Sequence, residues 1–226
     1  MALSADTQSM SGKKLFSAAC ERNRGPILEV LRPRLHRQEA KQNVLELAAG
    51  SGQHAGYLAA RLSDVVARWH PTDLGMSEEK QASIAAWALE ESAAAGAPNI
   101  VQEGRELDAR SDRWWDGWMD AGISHLFVAN MTHISPWAST VGLLRGAAAI
   151  LPPRGLLFIY GPFNVEGRFT SESNALFDQS LRARDAAWGI RDMDAEVGAE
   201  AAKVGLALTE KIDMPANNFT LVFKKN

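Results

Sequence analysis

The chain of 226 residues has a single cysteine, Cys20. An intrachain disulfide is therefore impossible, which suits a reducing compartment, and any dithiol or multi-cysteine metal chemistry is excluded. No run approaches the roughly 20 consecutive apolar residues of a membrane-spanning helix. Neither sign of charge is in large excess. The formal net charge is −3, so nothing marks a nucleic-acid polyanion as the main partner. One local basic run, Arg32, Arg34, His36 and Arg37, reads as a solvated helix end. There is no internal repeat, no interior linker rich in Pro, Gly and Ser, and no His/Asp/Glu cluster at metal-ligand spacing. Residues Met1 to Lys14 are polar and lack the apolar stretch of a signal peptide; they are expected to form a flexible tail. The remaining 15–226 suffice for one large domain and are tight for two. These absences together imply a cytoplasmic single-domain protein without a membrane partner, and leave the oligomeric state open.

What is present is an alternation of short apolar runs with helical stretches. Leu15 to Leu35 reads as helical in two pieces, broken near Gly25–Pro26. Asn43 to Ala48 is a strand ending in a glycine-rich turn, and His54 to Leu62 is a helix. Val65 to Trp69 is a second strand, and Ser77 to Ala95 is a helix closed by Gly96. Ile100 to Leu107 reads as a weak third strand and Ile123 to Ala129 as a fourth. Pro136 to Ile150 is a helix and Gly155 to Tyr160 a buried fifth strand. Helices follow at Ser173 to Arg184 and Asp194 to Val204. The strands Leu206 to Asp213 and Phe219 to Lys224 are joined by a Pro/Asn turn. Such alternation predicts an α/β, Rossmann-like, mostly parallel seven-stranded sheet with helices on both faces. The short final turn makes a hairpin, so the last strand is antiparallel. This ending resembles that of class I methyltransferases, which use S-adenosylmethionine (SAM).

The most informative run is Glu46-Leu-Ala-Ala-Gly50-Ser-Gly52-Gln53, a strand, a tight turn and a helix start. Gly50 and Gly52 allow close backbone approach to a ligand, and in open α/β sheets ligands bind beyond the carboxyl ends of the strands. As a bare pattern, Gly50 to Ala55 also fits a dinucleotide fingerprint, with Asp73 at the separation of a ribose-binding acid. Glu46 discriminates. A carboxylate there repels a pyrophosphate but suits the amino group and sulfonium of SAM. Methyltransferases resemble this run in placing an acid just before the turn, although Ala48 stands where they commonly have a first glycine. Asp73, after the second strand, is the candidate to accept from both ribose hydroxyls. Asp108, after the third strand, is the candidate for the adenine amino group. Asn130 and Met131, after the fourth, are candidates for the adenosine or methionine part.

The loop Asn130-Met-Thr-His133-Ile-Ser-Pro136-Trp137 carries the best-placed titratable side chain, His133, a candidate general base for the acceptor. Trp137 is a candidate pocket wall, and Tyr160 and Asp185 are alternative bases. Gly161 to Asp192 is long for one crossover and dense in charges and aromatics, including Trp188 and Arg191. This composition suits a lid or substrate wall, although ordinary i,i+4 pairs such as Asp178–Arg182 also account for part of it.

The runs ACERNRGPILEVL, VLELAAGSGQHA, WHPTD, ANMTHISPW, LLFIYGPF, SLRARDAAWGIRD and DMPANNFTLVFKK resemble the methyltransferase-like family catalogued as domain of unknown function 938. The resemblance extends from about Phe16 to the C-terminus. It implies the class I methyltransferase fold and SAM binding through Glu46, Gly50, Gly52 and Asp73, and it implies no substrate. The sequence thus points to methyl transfer to N, O or S of a small molecule, with no metal. A non-catalytic SAM-binding protein or partner subunit, or a nicotinamide-dependent oxidoreductase, are the alternatives.

Overall fold

The computed structural model describes residues 14–35 and 40–225. The expected flexible tail therefore lies outside the described residues except for Lys14, as do His36 and Arg37 of the basic run. The chain divides into two compact units, residues 1–107 and 108–226.

The first unit contains α1 (Ala18–Leu35), β1 (Gln42–Leu47), α2 (Gln53–Arg61), β2 (Val66–Asp73), α3 (Glu78–Ala95) and β3 (Arg105–Glu106). Its strands lie in the order β3-β2-β1, all parallel. The expected break in α1 at Gly25–Pro26 does not occur: the helix runs through Pro26 and Pro33. Pro26 removes the N–H that the Arg22 carbonyl would accept, at a cost of about 3 kcal/mol. Burial of Ile27, Leu28, Leu31 and Leu35 against α2 and the unit's core offsets this, at about 1.5–3 kcal/mol per side chain. Strand β2 is longer than expected because it continues through Pro71, whose partner in β1 is Glu46. Alternate residues Trp69, Pro71 and Asp73 direct their backbone groups towards the β3 side. There the pairing is already interrupted, so the missing N–H of Pro71 leaves no ladder bond unmade. The expected third strand is correspondingly reduced to β3 and a single bridge, Trp69 to Val101. The side chain of Gln81 takes both backbone groups of Gly104, donating to its oxygen at 2.5 Å and accepting from its nitrogen at 3.0 Å.

The second unit begins with a 3₁₀ turn (Trp114–Trp118) and continues with β4 (Ile123–Ala129), α4 (Trp137–Ile150), β5 (Leu156–Gly161) and β6 (Phe163–Asn164). Next come α5 (Glu172–Arg184), β7 (Arg191–Asp192) and a π-helical turn (Met193–Gly198), then α6 (Ala199–Lys203), β8 (Leu206–Met214) and β9 (Asn218–Lys225). Here the order is β4-β5-β9-β8, with β4 parallel to β5 and β9 antiparallel to both its neighbours. Ala216 and Asn217 turn the hairpin in the left-handed region, φ 60° and 55°, as tight hairpin turns require. The expected helix from Asp194 starts instead as the π-helical turn, capped by the Asp192 carboxylate, which accepts from Asp194 N and Ala195 N at 3.0 and 2.7 Å. A two-residue parallel ladder, β6 with β7, was not legible in the sequence, since two residues show no periodicity.

Seven strands, β1 to β5 with β8 and β9, make a mostly parallel sheet with a C-terminal antiparallel hairpin, as the sequence predicts. Among the described residues no helix is long and apolar enough to cross a membrane.

Candidate functional site

In the first unit the turn between β1 and α2 carries three successive departures into the left-handed region: Ala48 (φ 57°), Gly50 (φ 54°) and Gly52 (φ 81°). Each has its own cause. A Cβ on Gly52 would lie 2.6 Å from the Ile84 Cα, so only glycine lets the start of α2 pack on α3. A Cβ on Gly50 would meet nothing within 4 Å, so this backbone faces open space. Ala48 holds the same conformation with a Cβ, at a cost of about 1–2 kcal/mol. The turn is tied to β2 by Ala49 N donating to Thr72 O at 2.9 Å and Thr72 Oγ1 donating to Glu46 O at 2.8 Å. Ser83 of α3 holds its far side by donating to Ser51 O at 2.6 Å.

Two carboxylates flank this turn. Glu46 is 1 % exposed, and Trp69 Nε1 donates to its Oε2 at 2.6 Å. Burial pushes the Glu46 carboxyl up to about 8, with a contribution from the negative charge of Asp73 and an opposing one from the Trp69 hydrogen bond. Asp73, at the end of β2, accepts from Gly50 N at 2.6 Å on Oδ2, and its Oδ1 stands 3.4 Å from Lys80 Nζ. Trp69 and Lys80 are site neighbours that sequence reasoning did not single out. Trp69 had a signal, since it lies in the same WHPTD run as Asp73; Lys80 is an ordinary first-turn residue of α3. Sequence position alone placed Glu46, Ala48, Gly50, Gly52 and Asp73 together, and the structure brings them together.

In the second unit Asp108 forms a local loop with Arg110, which donates to its two oxygens from Nε and Nη2 at 2.7–3.2 Å. These bonds hold the Asp108 carboxyl below the usual range. Asn130 leaves β4 in the left-handed region (φ 58°) and its N–H donates to Tyr160 O at 2.9 Å. Met131 is half-buried in the loop that follows. Tyr160 lies within β5 and is buried. Asp185 is exposed beyond α5 and accepts from Ala187 N at 2.8 Å. Trp188 is half-buried with Arg184 over its ring.

His133, Trp137 and Arg191 do come together. His133 is 4 % exposed and its Nδ1 makes no hydrogen bond. A Cβ on Gly161 would approach that nitrogen at 3.4 Å, and Phe177 meets the ring edge-on at 5.6 Å between centroids. The His133 carbonyl accepts from Gly189 N at 3.0 Å, which ties the loop to the segment ahead of β7. Burial, and then the Arg191 charge, bring the imidazole down to about 4. Arg191 stands 5.7 Å from the Trp137 ring and donates from Nη2 to Ser135 O and Ala187 O at 3.2 and 2.7 Å. Among the described residues no group of His, Cys, Asp and Glu could hold a metal ion.

Solved structures of the same fold include an O-methyltransferase family protein from Burkholderia thailandensis, at 17 % identity and a TM-score of 0.70, covering 92 % of this chain and 57 % of that one. Human N-acetylserotonin methyltransferase in complex with SAM matches at 13 % identity and a TM-score of 0.67, covering 97 % and 55 %. The chain spans a little over half the length of these proteins, and the likeness is one of fold. That fold, a mostly parallel seven-stranded sheet closed by an antiparallel hairpin, is the class I SAM-dependent methyltransferase fold. The model of the family described as "Protein of unknown function (DUF938)" matches residues 14–225, and the chain belongs to that family.

Proposed function

We propose that residues 15–226 act as one SAM-dependent methyltransferase domain, working in the cytoplasm on N, O or S of a small molecule. The observation that carries this reading is the β1–α2 turn. Its Gly50 backbone faces open space, with an acid buried on one side and a second acid bonded to the turn itself. This suits a ligand that brings positive charge and ribose hydroxyls. Bound SAM supplies a methyl group already made electrophilic by its sulfonium.

The residues that would hold it are Glu46, Ala48, Gly50, Gly52 and Asp73, with Asp108, Asn130 and Met131 as further contacts. Asp73 would accept from the ribose hydroxyls, since an ionised carboxylate is a strong acceptor with lone pairs beyond those its present partners use. Trp137, Tyr160, Asp185, Trp188 and Arg191 are assigned to the methyl acceptor. His133, neutral at pH 7, keeps an acceptor nitrogen for the proton that the acceptor loses. Orientation of the reactants carries most of the rate in such a displacement.

A thermal-shift comparison tests the cofactor assignment, because a ligand that binds only the folded form raises the melting temperature. S-adenosylhomocysteine (SAH) is expected to stabilise the protein without added metal. Stabilisation by NADH or NADPH but not by SAH would assign the turn to a dinucleotide instead. Asp73→Ala is expected to weaken SAH binding by about 1–3 kcal/mol, the scale of hydrogen bonds to a charged group. Titration calorimetry measures this, and undiminished affinity removes Asp73 from the site.

A further inference from the structure

Arg191 is 8 % exposed, and it pairs with no carboxylate among the described residues. The two acids nearest in the electrostatic sense are already engaged. Asp178 accepts from Arg182 Nε and Ile190 N, both at 2.7 Å, and Glu196 accepts from Asp192 N at 2.7 Å. The Arg191 guanidinium is held in place by two backbone carbonyls on one amino group, while its Nε, fully buried, makes no hydrogen bond. Glu196 and Asp178 act on Arg191 only through their charge, not by contact, and a buried guanidinium with unused donors is costly unless a direct partner meets them. The surroundings say what else would fit. The unpartnered Nδ1 of His133 and the unpartnered, buried Oγ1 of Thr132 belong to the same loop. Beside them Ile134 and Phe177, 41 % and 39 % exposed, offer apolar surface, with Phe177 touching the His133 ring.

We propose that this loop is the acceptor site and that it selects an organic carboxylate on an apolar or aromatic body, with Arg191 as the residue that takes the carboxylate. The proposal rests on the methyltransferase reading for the identity of the ligand as acceptor. The specificity itself belongs to residues of the second unit alone and is measured without any methyl donor. A guanidinium fixed at its Nη2 end presents its remaining donors rigidly, which favours a planar oxyanion over a neutral amide of the same shape. Trp137 and Phe177 supply the aromatic walls.

The test is direct binding, by titration calorimetry or ligand-observed NMR, of benzoate, phenylacetate and 2-naphthoate against their neutral carboxamides, with and without SAH. The carboxylates are expected to bind at least tenfold more tightly than the amides, and the larger ring more tightly than the smaller. Arg191→Gln is expected to abolish the difference and Arg191→Lys to keep part of it. Equal binding of acid and amide to the unaltered protein, or no binding of any carboxylate at millimolar concentration, overturns the proposal, and neither result depends on a variant folding. Full carboxylate selectivity in a folded Arg191→Gln protein overturns it as well. If the carboxylates bind and SAH does not, it is the cofactor reading that fails.

Discussion

The proton on Glu46 makes the first prediction. With its carboxyl raised to about 8 by burial, Glu46 is largely neutral at pH 7 in the ligand-free protein. A cationic ligand favours the ionised form, so binding should release a proton. The sign follows: SAM affinity rises with pH through the window up to about 8, by at most about tenfold per unit, and levels off above it. Calorimetry in buffers of different ionisation enthalpy is expected to show this release, and Glu46→Gln should bind more weakly without the pH slope. His133 behaves in the opposite sense. Its imidazole is held down to about 4, so it is already neutral at pH 7 and becomes unable to accept a proton only near pH 4. The single-turnover rate of methyl transfer should therefore stay level from pH 8 to about 5 and then fall. His133→Asn, which bonds but takes no proton, is expected to lose roughly 10²–10⁴-fold in rate, the span of general base catalysis, with SAH affinity unchanged. Near-full rate in that variant would leave His133 as a packing group beside Phe177.

At the scale of elements, the β1–α2 turn makes opposite demands at two positions. Ala48 adopts φ 57° with a Cβ. Ala48→Gly is expected to be neutral to stabilising by up to about 1 kcal/mol, the left-handed strain relieved less the entropy of an added glycine. Gly52→Ala brings a Cβ within 2.6 Å of the α3 backbone at Ile84, on top of a φ of 81°. Backbone cannot yield as a side chain tip does, so a loss of at least about 2 kcal/mol is expected, summing strain and overpacking. Urea unfolding of the two variants measures both signs. The segment Arg168 to Asp192 is the other element of interest. It is anchored, not loose: Ser171 caps α5, Asp178 binds Ile190 N, and Asp192 accepts from Gly167 N at 2.7 Å. Slower hydrogen exchange across this segment with SAH and a bound carboxylate is the expected result if it walls the acceptor site. Unchanged exchange would make it scaffold.

Over the whole molecule, the histidines set the acid limit of stability. His54, His70, His125 and His133 are all brought to about 4, chiefly by burial. The unfolded chain takes up these protons near the ordinary value of 6.5, and the folded chain does so only near 4. Stability is therefore complete above pH 6.5 and is lost as pH falls from there towards 4, at up to about 1.4 kcal/mol per unit for each of His54, His125 and His133 and less for the half-buried, solvent-screened His70. Glu46 works the other way. Its raised carboxyl contributes stability below its ordinary range, which is lost as pH rises through about 8. The urea midpoint of the ligand-free protein should accordingly climb steeply between pH 4.5 and 6.5 and decline gently between 7 and 9. A flat profile across the acid window would mean that these imidazoles are hydrated in the folded state.

The amino-acid sequence by itself determined the strand and helix alternation, the C-terminal hairpin and the glycine turn between β1 and α2, because each is written in local signals. Apolar runs, the Gly50 and Gly52 pair, the Gly96 helix stop, and the Pro/Asn turn all act within a few residues of where they stand. Glu46 and Asp73 were legible for the same reason, each being tied to the end of a readable strand. Only the tertiary structure decided the remainder. The continuity of α1 across Pro26 depends on burial against other elements, which overrides the local break. The shrinking of the third strand depends on Gln81, a residue of the preceding helix, which occupies the backbone of Gly104. The pairing of β6 with β7 is two residues long and 28 positions apart, too short and too distant for any pattern. Above all, the charge of Arg191 was visible in the sequence but its lack of a direct carboxylate contact was not: Asp178 and Glu196 lie in the same stretch of chain, and only folding directs their hydrogen bonds elsewhere.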